Sequence, residues 1–297
     1  NLYIEMIETR CQTSGDHERT NLRSVLYSDA CLETLNEILQ TEMNKIACWL
    51  NVNKLSLNTT ITKLILFRSR NKKSKHDLKI SINEENIKQV QNINFLGIVI
   101  DEFLTWRDHV DLIAKKIIKC AAIISRIRHF TNLNSLKLIY YALVYPYLTY
   151  GNLIWGNAYK SHIQKLVNIQ KKIVRLITFK SYSEHTAPIF FELKILNMYK
   201  LNEYLTSSFM FRYFYLQNLP EFFTDYFMSN KDFHNYNTRN ASLLHKKFNR
   251  TNYKNRTFSN KGINLWNNLP VQYKLIRSFP VFKKAIKLYL LHSDTSN

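Results

Sequence analysis

Three groups of side chain in this sequence could do chemistry: the carboxylates, the histidines and cysteines, and a large excess of lysine and arginine. Nucleotidyl transfer needs two metal ions held by carboxylates, normally including two adjacent aspartates on a tight strand turn. No Asp-Asp pair occurs in the 297 residues. The nine histidines never fall into a spacing such as His-x-x-x-His beside a pair of cysteines, so they are expected to be solvated or packed. Cys11, Cys31, Cys48 and Cys120 lie in the first half without close pairing, which fits a reducing compartment better than a disulfide framework. The bases remain. Lys+Arg number 42 against 22 Asp+Glu, a net charge of +20, which suits a polyanion such as nucleic acid and, less well, an acidic membrane surface. AT-rich codons would also supply Lys, Asn, Ile, Tyr and Phe, but codon bias does not explain why acids vanish from particular segments.

Those segments indicate which elements carry the charge. Residues 108–130 read as a helix with Val110, Ile113, Ile117, Ala121, Ile124 and Ile127 on one stripe. Its other face holds Lys115, Lys116, Lys119, Arg126 and Arg128. Residues 161–179 form another helix, and from Lys160 to Lys180 there are six bases, including Lys165, Lys171, Lys172 and Arg175, and no acid. After Asp232 the acids disappear again through Arg239, Lys246, Lys247, Arg250, Lys254 and Arg256, with Phe248, Tyr253 and Phe258 interleaved. Helical bases of the first kind grip phosphates without reading bases and lose affinity steeply with salt. Bases mixed with aromatics suit single-stranded or structured RNA. A merely solvated charged face is the competing reading for any one residue.

The remaining elements give an α+β expectation. An amphipathic helix at residues 31–50, capped by Asp29, precedes short strands at 63–67, 78–82 and 93–100, with a basic loop at 68–75. Helices then dominate: 134–150, with Pro146 to kink or end it and Gly151 to release the chain; an aromatic stretch at 184–219 ending before Pro220; and a closing helix at 281–291. Residues 229–260 read as an ordered loop or short helices. The apolar run 138–148 is too short to span a bilayer and contains Pro146, and residues 1–10 lack the apolar core of a secretory signal. An intracellular product, nuclear or cytoplasmic and not secreted, is expected. Because the first residue is not Met, the expectation is a fragment or the end of a broken reading frame.

Several short motifs recur in a telling order: Phe95-Leu96-Gly97, Tyr145-Pro146-Tyr147-Leu148-Thr149-Tyr150-Gly151, Tyr236-Asn237-Thr238-Arg239, Leu265-Trp266-Asn267-Asn268-Leu269-Pro270, and the amphipathic tail at 279–291. Together they resemble the thumb and C-terminal region of jockey-like reverse transcriptases from non-long-terminal-repeat retrotransposons. Lys54-Leu55-Ser56-Leu57-Asn58, Ile65-Leu66-Phe67 and Leu104-Thr105-Trp106 match the pieces that follow the active-site turn in that family. Thr20-Asn21-Leu22 fits the residues after the paired aspartates, which puts Glu18-Arg19, preceded by Asp16-His17, where the pair should stand. An arginine there repels a metal ion. Ile61-Thr62 likewise replaces a Lys-Thr pair whose lysine would protonate the leaving pyrophosphate, with Lys63 close by.

The resemblance implies the end of a polymerase palm at residues 1–105, a helical thumb at 106–182 and a helical, basic C-terminal domain at 183–297. It implies RNA and an RNA–DNA or DNA duplex as partners. Mg²⁺ would serve the complete family enzyme, with no cofactor expected in this fragment. It also implies a chain without catalysis of its own, with no catalytic and no metal-binding residue assigned. Phe95-Leu96-Gly97 would form the hairpin that supports the primer end, or else a core strand with a bulge. Trp106 would be a packing anchor. Two readings compete: a non-enzymatic basic helical RNA-binding module, and a decayed reading frame.

Overall fold

The computed structural model describes residues 3–13, 19–28, 32–58, 62–68, 70, 78–82, 85–216, 218–233, 240–246 and 255–293. The chain divides into two compact units, Asn1–His109 and Val110–Asn297. Both helix and sheet are present, as an α+β reading requires.

Among the described residues the first unit holds a five-stranded sheet and two two-stranded ones. Strand β1 (Tyr3–Thr13) pairs antiparallel with β2 (Arg19–Ser28), from Tyr3 opposite Ser28 to Gln12 opposite Arg19. Strand β2 does not follow from the sequence pattern, because Leu22, Val25 and Leu26 recur at three and four, a helical spacing. Helix α1 (Leu32–Val52) buries Leu35, Leu39, Met43 and Leu50, while Ile38 and Trp49 are exposed. Asp29, its expected cap, lies outside the described residues. Strand β3 (Leu55–Leu57) joins the end of β1 and β4 (Lys63–Phe67) joins its start.

β4 is the structural centre of this unit. Successive strand residues face opposite sides, so Leu64 and Leu66 pack with Leu35, Leu39 and Met43 of α1. Ile65 and Phe67 pack on the other side with Ile93, Ile98 and Ile100. A strand covered on both faces reads as an unbroken apolar run, which is why Leu64-Ile65-Leu66-Phe67 was recognisable in the sequence.

The two other expected strands are altered. Of residues 78–82 only Ser81–Ile82 (β5) is regular, pairing with Glu85–Asn86 (β6). Side chains replace the missing strand partner: Gln40 donates to the Ser81 carbonyl at 2.7 Å and accepts its N–H at 3.0 Å, and Asn36 accepts the Lys79 N–H at 3.1 Å. Strand β7 (Lys88–Gln89) runs parallel to β4. Residues 93–100 are two strands, β8 (Asn92–Phe95) and β9 (Ile98–Asp101), joined at Leu96-Gly97 with φ of 47° and 79°. A two-residue hairpin turn with both residues at positive φ matches the twist of its strands; of the two readings, hairpin or bulged strand, the hairpin is observed.

Asp101 organises the exit from β9. Its buried carboxylate accepts the backbone N–H groups of Phe103, Thr105 and Trp106 at 3.1, 3.0 and 2.7 Å. Those bonds hold Leu104 and Trp106 at φ of 51° and 63°, positions that L residues adopt only when tethered. Trp106 packs on the cluster of Ile65, Phe67, Ile93 and Ile100.

The second unit is helical. Along the chain α2 (Arg107–Ile127) leads into it and buries Val110, Ile113, Ile117, Ala121 and Ile124. Helix α3 (Leu133–Ile139), capped by Asn132, runs through a π-helical turn at Tyr140–Val144 into α4 (Tyr145–Thr149). Pro146 therefore does not end the helix. The Tyr145 N–H reaches back five residues to the Tyr140 carbonyl, and the widened turn accommodates a residue that has no N–H of its own. Gly151, at φ 60°, turns the chain into α5 (Asn152–Trp155), as expected. Helix α6 (Lys160–Thr178) follows and ends at Phe179.

The expected aromatic helix at 184–219 is two helices, α7 (Thr186–Leu193) and α8 (Met198–Phe211). The break is at Lys194, φ 54°, and Asn197 then caps α8 by accepting the Lys200 N–H. Beyond Ser229–Leu244, an isolated bridge, come a helix at Phe258–Asn268 and a final helix at Phe279–His292. The final helix buries Phe282, Ile286, Leu290 and Leu291. Trp266 is buried in the preceding helix, stacked on Phe214 at 5.0 Å and 6.3 Å from Phe282.

Candidate nucleic-acid interface

Helix α2 positions its bases by period alone. Lys115, Lys119 and Arg126 are four and seven residues apart, so at 100° per residue they share one face. All three are exposed, and none has a hydrogen-bond or ion-pair partner among the described residues. Lys116 and Arg128 point elsewhere. The Lys116 ammonium sits 5.3 Å from the centroid of the Tyr147 ring. The Arg128 guanidinium sits 4.8 Å from Phe179 and donates through Nε to His129 Nε2 at 3.3 Å.

Helix α6 carries similar residues in a different condition. Lys165 donates to Asp111 Oδ1 at 2.6 Å, tying α6 to α2. Arg175 donates through Nε and one terminal nitrogen to the Glu184 carbonyl at 2.9 and 2.7 Å, and its guanidinium lies 5.5 Å from the Tyr182 ring centroid. It staples the loop after α6. Lys172 is exposed and Lys171 half-exposed, and neither has a partner among the described residues.

In the C-terminal segment, Arg239, Lys247, Arg250 and Lys254 lie outside the described residues, as do Tyr236, Asn237 and Thr238. Lys246 is exposed. The Arg256 guanidinium stands 3.5 Å from the Tyr159 ring centroid, against the turn that starts α6, so the fold brings this residue to the start of that helix. Lys261, at the end of the basic segment and not among the bases expected to bind, is inserted among polar groups. Its ammonium donates to Asn202 Oδ1; Asn202 donates to Asn152 Oδ1 at 2.8 Å, and Asn152 donates to the Leu148 carbonyl at 2.8 Å. Burial pushes the Lys261 ammonium below its ordinary range, and the Glu203 carboxylate pulls it partly back. Gly156 makes the approach possible, since a Cβ there would lie 2.4 Å from Asn202 Nδ2.

Among the described residues the acids offer little for a metal. Asp16 and Glu18 lie outside the described residues; Arg19 opens β2. Asp101 is committed to backbone N–H groups, and Glu102 pairs with Arg68 at 2.9 Å. Among the described residues no three His, Cys, Asp or Glu side chains gather as a metal ion would need. No described helix is long and apolar enough to cross a membrane.

With this architecture in view, the comparisons point to a class of transposable-element polymerases. Over 158 residues the chain is 27% identical to the probable RNA-directed DNA polymerase from transposon X-element of Drosophila melanogaster, covering 52% of this chain and 17% of that protein. Over 120 residues it is 30% identical to the RNA-directed DNA polymerase from mobile element jockey of the same fly, covering 39% and 13%. The jockey polymerase of Drosophila funebris is 23% identical over 176 residues, covering 58% and 19%. The chain is a relative of the reverse transcriptases of jockey-like retrotransposons, and its matches span less than a fifth of their length. No family model and no solved structure matches it.

Proposed function

We propose that this chain is the palm-end, thumb and C-terminal region of a retrotransposon RNA-directed DNA polymerase, and that it holds a template–primer duplex through the basic faces of α2 and α6. The observation that carries this reading is the row Lys115, Lys119 and Arg126, exposed on one face of α2 with no partner among the described residues. The row runs about 16 Å along the helix axis, from eleven steps of about 1.5 Å, enough to touch several phosphates of one strand. Residues 106–182 serve as the thumb, and 183–297 as the C-terminal domain, which holds RNA. The names of the relatives, which are RNA-directed DNA polymerases, support nucleic acid as the partner.

In this reading the chain does not catalyse by itself, because no Asp-Asp pair is present and Arg19 stands beside Glu18. Mg²⁺ belongs to the complete polymerase. Two measurements test the proposal. Titration of an RNA–DNA hybrid over a salt series should give affinity falling steeply with salt; binding indifferent to salt, or none, would sink the thumb assignment. Primer extension on an RNA template with Mg²⁺ should yield no product, and extension by the purified chain would overturn the inactive assignment.

A further inference from the structure

Lys137, Lys194 and Lys287 come from α3, the turn between α7 and α8, and the final helix, and they lie about one tyrosine, which Lys287 meets through its ammonium and Lys194 through its main-chain carbonyl. Tyr141 follows Lys137 by one helical turn, on the same face. Its hydroxyl donates to the Lys194 carbonyl at 3.3 Å and accepts from Lys287 Nζ at 3.3 Å, with that ammonium 5.6 Å from the ring centroid. Tyr140 and Tyr145 hold the ring edge-on at 5.5 and 5.2 Å. None of the three lysines joins an ion pair among the described residues.

Lysines placed this close repel one another. Burial pushes the Lys287 ammonium below its ordinary range and Lys194 adds to it; Lys137 is lowered first by burial, then by Lys287 and Lys194. Lys287 spends one of its three donors on Tyr141, leaving two. The ammonium groups provide donors and no acceptor, and Lys194 stays exposed while the other two are half-buried, so the cluster is open to an anion from solvent.

We propose that Lys137, Lys194 and Lys287 form a phosphate-binding site for the backbone of a nucleic-acid strand. It rests on the nucleic-acid reading of the chain and adds a grip that the α2 and α6 faces do not contain. Lysine point charges read no base edge, so the site contributes affinity without sequence preference.

The test uses the full chain and a labelled RNA–DNA hybrid over a salt series, comparing two triple variants: Lys137→Gln with Lys194→Gln and Lys287→Gln, and Lys115→Gln with Lys119→Gln and Arg126→Gln. The cluster variant should bind roughly tenfold more weakly at 0.15 M salt, with the slope of log affinity against log salt smaller by about 1. Its melting temperature should hold or rise, because the mutual repulsion is gone. Restoring charge with arginine at the three positions should recover binding; recovery no better than with glutamine would mean that the side chains act by packing, and would overturn the site. Unchanged binding of the cluster variant beside loss in the α2 variant would overturn this site and leave the α2 face standing. Unchanged binding of both variants would overturn both. Displacement of the hybrid by polyglutamate as readily as by unlabelled nucleic acid would overturn the site too, since an acidic peptide would then be its ligand.

Discussion

Helices α2 and α6 carry nearly the same kind of basic face and have used it differently. On α2, Lys115, Lys119 and Arg126 share one exposed stripe and engage nothing among the described residues. On α6, Lys165 is paired with Asp111 and Arg175 is bonded twice to the Glu184 carbonyl. A count of charges would rank α6 the equal of α2. Their partners show that Lys115, Lys119 and Arg126 of α2 are uncommitted among the described residues, whereas α6 uses part of its charge to hold the loop that follows it and to tie itself to α2. A basic helix is thus a candidate for phosphate contact only to the extent that its donors are not already committed.

The largest effect should come from breaking the α2 side. Replacing Lys115, Lys119 and Arg126 together by glutamine should weaken hybrid binding roughly a hundredfold at 0.15 M salt and flatten the salt slope by about 2.7 if each base neutralises one phosphate. Melting should not move, since exposed unpaired bases add little to the fold. The corresponding triple of Lys165, Lys171 and Lys172 should cost roughly tenfold, because one member starts from an ion pair. Equal losses, measured side by side, would erase the distinction between the helices.

A smaller effect sharpens the α6 side. Arg175→Gln removes two charge-assisted bonds to a carbonyl and the contact with Tyr182, and should cost about 1–2 kcal/mol in urea unfolding. Hybrid affinity should stay within about threefold, as expected for a residue that neutralises less than one phosphate. A tenfold loss of affinity with unaltered unfolding would move Arg175 from loop staple to ligand contact.

What the sequence made legible follows from the range of the forces involved. Periodicity of 3.6 is local, so α2, α6 and the closing helix were readable, and the run Leu64-Ile65-Leu66-Phe67 announced a strand, which the fold buries on both faces. β2 was not readable, because Leu22, Val25 and Leu26 have helical spacing and only long-range pairing makes them a strand. The break at Lys194 has no glycine to mark it; a lysine takes the left-handed conformation there because Ile195 and Leu196 are pulled into the core. The stripe of bases on α2 could be listed from spacing, yet which base is committed could not. Arg175 finds its carbonyl nine residues on, Lys165 finds Asp111 on another helix, and the lysines about Tyr141 come from three elements. Those pairings exist only after tertiary assembly.

The smallest expected effect tests the comparison in reverse. If Lys165 is held back from nucleic acid by Asp111, then Asp111→Asn should return it. The pair is short but exposed on both sides, 54% and 37%, so water screens it and its loss should cost at most about 1 kcal/mol of stability. Binding gains twice: a carboxylate that repels phosphate disappears and an ammonium becomes available. Hybrid affinity should therefore rise about threefold at 0.15 M salt, and the salt slope should steepen by up to about 0.9, the contribution of one phosphate. The double variant Asp111→Asn with Lys165→Gln separates the two parts, since any gain it retains belongs to the lost repulsion alone. If Asp111→Asn leaves both affinity and slope unchanged, the ion pair is not what restrains α6, and the difference between the two helices must lie in which face each presents to the duplex.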